Sequence, residues 1–434
     1  MTTRRDLLKS AALAAAAMPF LTTGAWAARL SPMNELRESA GIAGLPAPGA
    51  PDYWAQVRKQ FMLRTDQVFF NTGTLGAMPR VVVARMTEHL HKAASNMAEW
   101  DYADDGDMMS GYFPYLEIRE KVARLVGADA GEIALTENVT MAMSFVAMGL
   151  NLTKGDEVVT SDQEHSGGKS SWQVRQKRDG IVYREIPLPK PATSPGEIID
   201  IVTKSFTPKT RVLMLSHVIT GSGAILPVKE LCEAARQRGI FTVLDGAQAL
   251  GHIPLNIREI GCDAYVGCFH KWILGPAGTG FLFLRKEVAP EISTTLASSQ
   301  WDDHKDEGFR FTQRGTGSLT LLHGLETALN FHNEIGHERI LERVKFLGGY
   351  LRSELRKLPK VHIFSPSDEA MCAGITVYNI DGWTGPRLQE LFWERDRLRP
   401  RSSSETHGLR HSTHIYNSVE EIDRCLKIIR ELAV

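Results

Sequence analysis

"FTVLDGAQALGHIPLNIREIGCDAYVGCFHKWILGPAGTGFLFL", residues 241–284, decides the fold of this chain. Three short apolar runs stand out in it: FTVLD (241–245), DAYVGC (263–268) and GFLFL (280–284). They show no alternation with polar residues, the pattern of strands buried on both faces. The first ends on Asp245, and the second leads into Lys271, held between His270 and Trp272. A lysine in apolar company needs a partner or a chemical task. A carboxylate ending an apolar strand needs a cationic or hydrogen-bonding partner, unless it only caps the next helix.

Outward from this stretch, further strand candidates are EIALT (132–136), EVVTS (157–161), IVYREI (181–186) and RVLMLSHV (211–218). Helical patterns such as 138–149 and 227–238 lie between them, which implies crossover connections and a mostly parallel sheet. From about residue 318 the texture changes to long amphipathic helices (318–334, 337–357) and a short strand-helix-strand-helix finish. The expected class is α/β: a large domain with a mostly parallel seven-stranded sheet flanked by helices, plus a smaller α+β C-terminal domain. The expected division is a leader (1–27), an N-terminal arm with the large domain (28–310), and the small domain (311–434).

The chain has 434 residues, 43% of them hydrophobic, and a formal net charge of −1, so it can bury a large core. No basic block points to nucleic acid as a partner. Five scattered cysteines form no CxxC pair or Cys/His cluster, so neither a metal site nor a disulfide framework is expected. The first 27 residues carry Arg4 and Arg5, a modestly apolar run and Ala25-Trp26-Ala27. That is a twin-arginine export signal with its cleavage site. The run is too short and too broken to span a membrane, which takes roughly 20 apolar residues. The mature protein is therefore expected in the periplasm, carried there by the twin-arginine translocase, with no stable membrane association.

In open α/β sheets, ligands bind beyond the carboxyl ends of the strands. After 132–136, Asn138, Val139 and Thr140 open a helix, an anion site suited to phosphate, although a simple N-cap fits Asn138 as well. After 157–161 comes DQEHSGGKS. Its GGKS is not a phosphate-binding P-loop, because that motif needs Gly where Gln163 stands. His165 remains at this strand end, able to lay its ring on a flat ligand. His217 ends the 211–218 strand. Lysine, carboxylate, stacking ring and phosphate site together describe a pocket for pyridoxal 5'-phosphate. Lys271 would form the Schiff base there, and Asp245 would keep the pyridine nitrogen protonated.

Five ordered blocks then resemble the class V aminotransferases, a branch of the fold type I pyridoxal phosphate enzymes, over essentially the whole mature length. They are FFNTGTLGAMPRVV (69–82), LDGAQALGHIPLNI (244–257), HKWILGPAGTGFLFL (270–284), RGTGS (314–318) and LRHSTHIYNSVEEIDR (409–424). The resemblance implies that Lys271 binds the cofactor, Asp245 pairs with its ring nitrogen, Gln248 lies near its phenolic oxygen and His165 stacks on it. It implies phosphate contacts from Val139, Thr140 and His270, with Asn138 and His217 alongside in the cofactor site. Thr316 would reach the neighbouring active site of a homodimer. Asn71 and Arg410 would bind an amino-acid substrate, Arg410 taking its carboxylate.

Cys268 stands where many members have Ser, which puts one phosphate contact in question. The loop before Arg410, RPRSSSETHG (399–408), has no cysteine, which disfavours the persulfide chemistry of cysteine desulfurases. Within the family, SHVITGSGAILPV (216–228) and HKW (270–272) most resemble the isopenicillin N epimerase-like subgroup. An exported member is also similar to the periplasmic pyoverdine-tailoring enzyme. Epimerisation, transamination, β-lyase cleavage and oxidative decarboxylation all stay open. So does a non-catalytic binding protein on the same fold, against which an intact Lys271 and Asp245 speak.

Overall fold

The computed structural model describes residues 45–95 and 114–433; the leader segment lies outside them. Seven strands form the large sheet: β1 (Ile133–Thr136), β2 (Glu157–Ser161), β3 (Val182–Ile186), β4 (Thr210–Ser216), β5 (Phe241–Asp245), β6 (Ala264–Cys268) and β7 (Gly280–Leu284). Their order is β1-β7-β6-β5-β4-β2-β3. Every pairing is parallel except those of β7, which runs antiparallel to both β1 and β6.

Alternation along the strands splits their residues between two cores. Ile133, Leu135, Leu213, Leu215, Phe281 and Phe283 face one side. Ala134, Val212, Met214, Leu282 and Leu284 face the other. Both sides are covered by helices, which is why these strands read as continuous apolar runs. On the second side lies α1 (Val139–Gly149), which contributes Ala142, Met143 and Val146. Next in the chain is α2 (Ser166–Asp179), which crosses from β2 to β3. The long helix α3 (Leu319–Ile335) packs Leu322, Leu325 and Ala328 into the first core.

The C-terminal part holds a four-stranded antiparallel sheet. Its strands are β8 (Val361–Ile363), β9 (Ile375–Ile380), β10 (Arg401–Ser404) and β11 (Gly408–Ser412), in the order β10-β11-β9-β8. Helices His337–Leu355, Gly385–Asp396 and Val419–Leu432 cover it with Leu347, Leu351, Leu388, Phe392, Leu426 and Ile429. A further apolar cluster joins the parts: Tyr53, Val57 and Phe61 of the N-terminal arm meet Trp272, Leu274, Ile375 and Tyr416. The Arg58 guanidinium donates to the Tyr416 carbonyl at 2.6 Å. This packing sets Arg410, on β11, opposite the carboxyl ends of β5 and β6.

Candidate active site

Where the carboxyl ends of β1, β2, β5 and β6 meet β10 and β11, they enclose a cavity of about 550 Å³. Asn138, Val139, Thr140, His165, Asp245, Gln248, His270, Lys271 and Arg410 all line it. Asp245 is buried. Its Oδ1 accepts the Ala247 N–H at 2.9 Å, whereas Oδ2 has no donor among the described residues. Burial raises the Asp245 pKa, and the Ala247 N–H, Lys271 and His165 only partly counter that. The half-buried Lys271 makes no ion pair among the described residues.

The neighbours of Lys271 explain its apolar setting. The Trp272 indole is buried, stacks on His252 at 3.7 Å and donates to Gln248 Oε1 at 2.9 Å. Gln248 Nε2 donates in turn to the Gly73 carbonyl at 2.7 Å and to Thr220 Oγ1 at 3.2 Å, so both ends of this amide are engaged. The loop at Gly73–Gly76 lies directly on the lysine's backbone. A Cβ on Gly76 would come within 2.2 Å of the Lys271 carbonyl oxygen, so only glycine fits there.

Asn138 caps α1, its side chain accepting the Met141 N–H at 2.9 Å. The first N–H groups of a helix have no acceptor within it, which leaves those of Val139 and Thr140 for an anion. His165 caps α2 by accepting the Gly167 N–H on Nδ1 at 3.0 Å, so its neutral ring carries the proton on Nε2. Burial, and then Lys271, lower the His165 pKa and favour that neutral form. Burial and Lys271 likewise bring the His270 pKa down to about 4, and its buried Nδ1 has no partner among the described residues.

Arg410 is buried and, among the described residues, holds only neutral acceptors: Thr220 Oγ1 at 2.7 Å, and Asn71 Oδ1 and Thr74 Oγ1 at 2.9 Å each. Burial, and then Arg401, bring its pKa down to about 9.

Two expected site residues, His217 and Asn71, lie outside the lining of this cavity. His217 is not in the cavity wall: its backbone N–H donates to the Asp245 carbonyl and its ring meets Tyr265 Oη at 2.9 Å. Alternation explains this, because Ser216 turns towards Glu164 beneath the cavity while His217 turns to a separate groove with Leu226 and Pro227. His217, expected in the cofactor site, is thus placed outside the cavity lining. Asn71 is outside the lining as well, and its Oδ1 is spent on Arg410 and Thr74, so it orients the arginine. Thr316 is exposed and outside the cavity of its own chain.

The structure adds lining residues that the motifs did not mark, among them Thr74, Glu164, Thr220, Arg401 and Ser403. Glu164 is buried, with its carboxylate accepting from Ser161 Oγ, Ser216 N and Ser216 Oγ. Its place directly before His165 at a strand end was the available signal.

The aminotransferase class-V family model matches residues 68–425. The chain belongs to the class-V aminotransferase family. Two isopenicillin N epimerases are similar to it. That of Amycolatopsis lactamdurans is 32% identical over 88% of this chain and 98% of its own length. That of Streptomyces clavuligerus is 33% identical over 86% and 96%. A probable cysteine desulfurase of Methanothermobacter thermautotrophicus is 27% identical over 87% and 97%. Among solved structures, the cystine C-S lyase C-DES in complex with cysteine persulfide is similar at a TM-score of 0.76 and 26% identity, covering 85% of this chain and 98% of that one. A C-DES variant with glycine covalently linked to its PLP cofactor reaches 0.78 at the same identity, over 86% and 99%.

This class-V enzyme is pyridoxal 5'-phosphate dependent. Its cavity fits that cofactor on three observations. Asp245 lines the cavity and its Oδ2 has no donor among the described residues, as a partner for a ring N–H should be. The α1 N-terminus and the unpartnered His270 Nδ1 supply phosphate donors. Gly167 and Gly168 leave room for a flat ring, since a Cβ on either would lie 2.8 Å from Thr140 Oγ1 or 2.9 Å from Asp245 Oδ2.

Proposed function

We propose that this enzyme binds an amino acid, or the amino-acid moiety of a peptide-derived metabolite, by its α-carboxylate on Arg410 and moves the Cα proton with Lys271. One observation carries the reading: Arg410, buried with only neutral acceptors, lines the same cavity as Lys271. A buried guanidinium in this state suits a carboxylate supplied from outside, which would take the place of a neutral acceptor. Bound there, pyridoxal phosphate supplies an electron-accepting ring that stabilises negative charge developing at Cα. Asp245 Oδ2 holds the proton on the ring nitrogen, and His165 covers the ring face. Lys271 takes the Cα proton and returns it, a step for which a positioned base typically contributes ~10²–10⁴-fold.

Return of the proton to the opposite face is epimerisation, which the similarity to two isopenicillin N epimerases supports. Cleavage at Cβ begins with the same proton removal, and the likeness to C-DES favours it as the second reading. Sulfur transfer onto the enzyme is disfavoured. All five cysteines are buried, and Cys268, the one in the cavity wall, is pushed up to about 11 by burial and stays a thiol.

Arg4, Arg5 and Ala25-Trp26-Ala27 support export to the periplasm, where a siderophore precursor would be a fitting peptide-derived substrate. The resemblance of RGTGS (314–318) to the family's loop that reaches the partner subunit's site supports a homodimer with shared sites.

The test is incubation of candidate amino acids with the enzyme in heavy water, following the α-proton by NMR. Exchange should occur with wild type and vanish in Lys271→Ala. Borohydride reduction and peptide mapping should label Lys271. A verified substrate that turns over with its α-hydrogen retained would refute the proton-transfer reading.

A further inference from the structure

We propose that the substrate carries a second carboxylate, seated on Arg401 while the α-carboxylate sits on Arg410. The enzyme would then select a dicarboxylic amino acid, free or as part of a short peptide. This rests on the amino-acid reading above and extends it to the substrate's other end. Arg401 and Arg410 are direct partners across the antiparallel β10–β11 pair, and both line the cavity. Directly opposed residues project from the same face of a sheet, where like charges destabilise one another.

Thr74 Oγ1 lies between the two guanidiniums. It accepts from Arg410 Nη2 at 2.9 Å and from Arg401 Nη1 at 2.8 Å, and gives its own proton to Asn71 Oδ1. The two nitrogens are therefore no further apart than those two bonds laid end to end. That spacing suits carboxylates joined by a short methylene chain.

The other buried arginines of the described residues each have a carboxylate: Arg119 has Asp306, Arg175 has Asp179, Arg310 has Glu307 and Arg352 has Glu369. Arg410 departs from this pattern, and its buried Nε has no partner among the described residues. Arg401 likewise meets no carboxylate among the described residues. Arg410 is buried and Arg401 is exposed, yet both line the cavity, so two adjacent cations that meet no carboxylate among the described residues offer seats for two negative charges of a ligand. A monocarboxylate would neutralise only one of them.

Calorimetric titration of the cofactor-loaded enzyme tests this with L-glutamate against L-glutamine, and with glutarate against its monoamide. The latter pair lacks the amine, so its binding heat is independent of turnover. γ-Glutamylglycine, whose second carboxylate belongs to a peptide end, separates the two sources. The diacid should bind ~10–100-fold more tightly than its amide, the scale of a charge-assisted hydrogen-bonded pair. Arg401→Gln should bring diacid and amide to parity, and Arg401→Lys should retain part of the preference. Equal affinities in wild type would overturn the second carboxylate and leave the amino-acid reading standing. A loss shared equally by diacid and amide in Arg401→Gln would also overturn it, because one carboxylate would then bridge both arginines. Absence of binding by every amino acid, together with no α-proton exchange, would overturn both.

Discussion

Replacing Glu164 by Gln should make the stability of this enzyme less dependent on pH. Glu164 lies at the foot of the cavity, where it accepts from Ser161 Oγ at 2.7 Å and from Ser216 N at 3.0 Å, and also from Ser216 Oγ. Burial outweighs these hydrogen bonds, and nearby Asp245 adds to its effect, so the pKa is raised from 4.5 to about 7. The unfolded chain releases this proton near the lower value and the folded chain near the upper one. The protonated carboxyl thus favours the fold at low pH, and that contribution is lost as pH rises through about 7. A difference of about 2.5 units corresponds to roughly 3 kcal/mol.

Gln keeps the shape. Its carbonyl can accept from Ser216 N–H while its amide donates to Ser161 Oγ. The stability of Glu164→Gln relative to wild type should therefore rise by about 3 kcal/mol between about pH 4 and about pH 8. Urea unfolding of the cofactor-loaded protein, followed by tryptophan fluorescence across that range, reads this directly. A relative stability that stays flat would show that Glu164 ionises near its ordinary value and that its hydrogen bonds offset burial.

Asp245→Asn should keep the bond to Ala247 N–H and the fold but lower kcat/KM by about two to four decades, since removing a buried partner charge costs ~3–5 kcal/mol. Wild-type rates would place the ring-nitrogen partner elsewhere. Thr316→Ala should weaken cofactor retention on dialysis while leaving the subunit's own unfolding midpoint unchanged; a monomer fully active across dilution would refute the shared site. Replacing Arg4 and Arg5 by Lys should trap the protein in the cytoplasm. An unchanged periplasmic yield on fractionation would mean that the leader acts as an ordinary secretory signal.

The sequence by itself determined the sheet and the chemistry at its strand ends. Strands buried on both faces, such as Phe241–Asp245 and Gly280–Leu284, read as short, mostly apolar runs because packed helices cover both sides of the sheet. Asp245 and Lys271 stood out for the same reason, as ionisable groups next to such runs. Tertiary structure decided what depends on which face a residue takes and on what lies across a pairing. His217 is one residue beyond Ser216, whose side chain turns to Glu164, so it turned the other way. Asn71 became a support for Arg410 once the N-terminal loop and β11 met. Arg401 lies in a polar stretch with no local signal, and only the β10–β11 register sets it opposite Arg410. Periodicity is a local property of the chain, but the pairing of two cations brought together by a hairpin is settled only when the sheet forms.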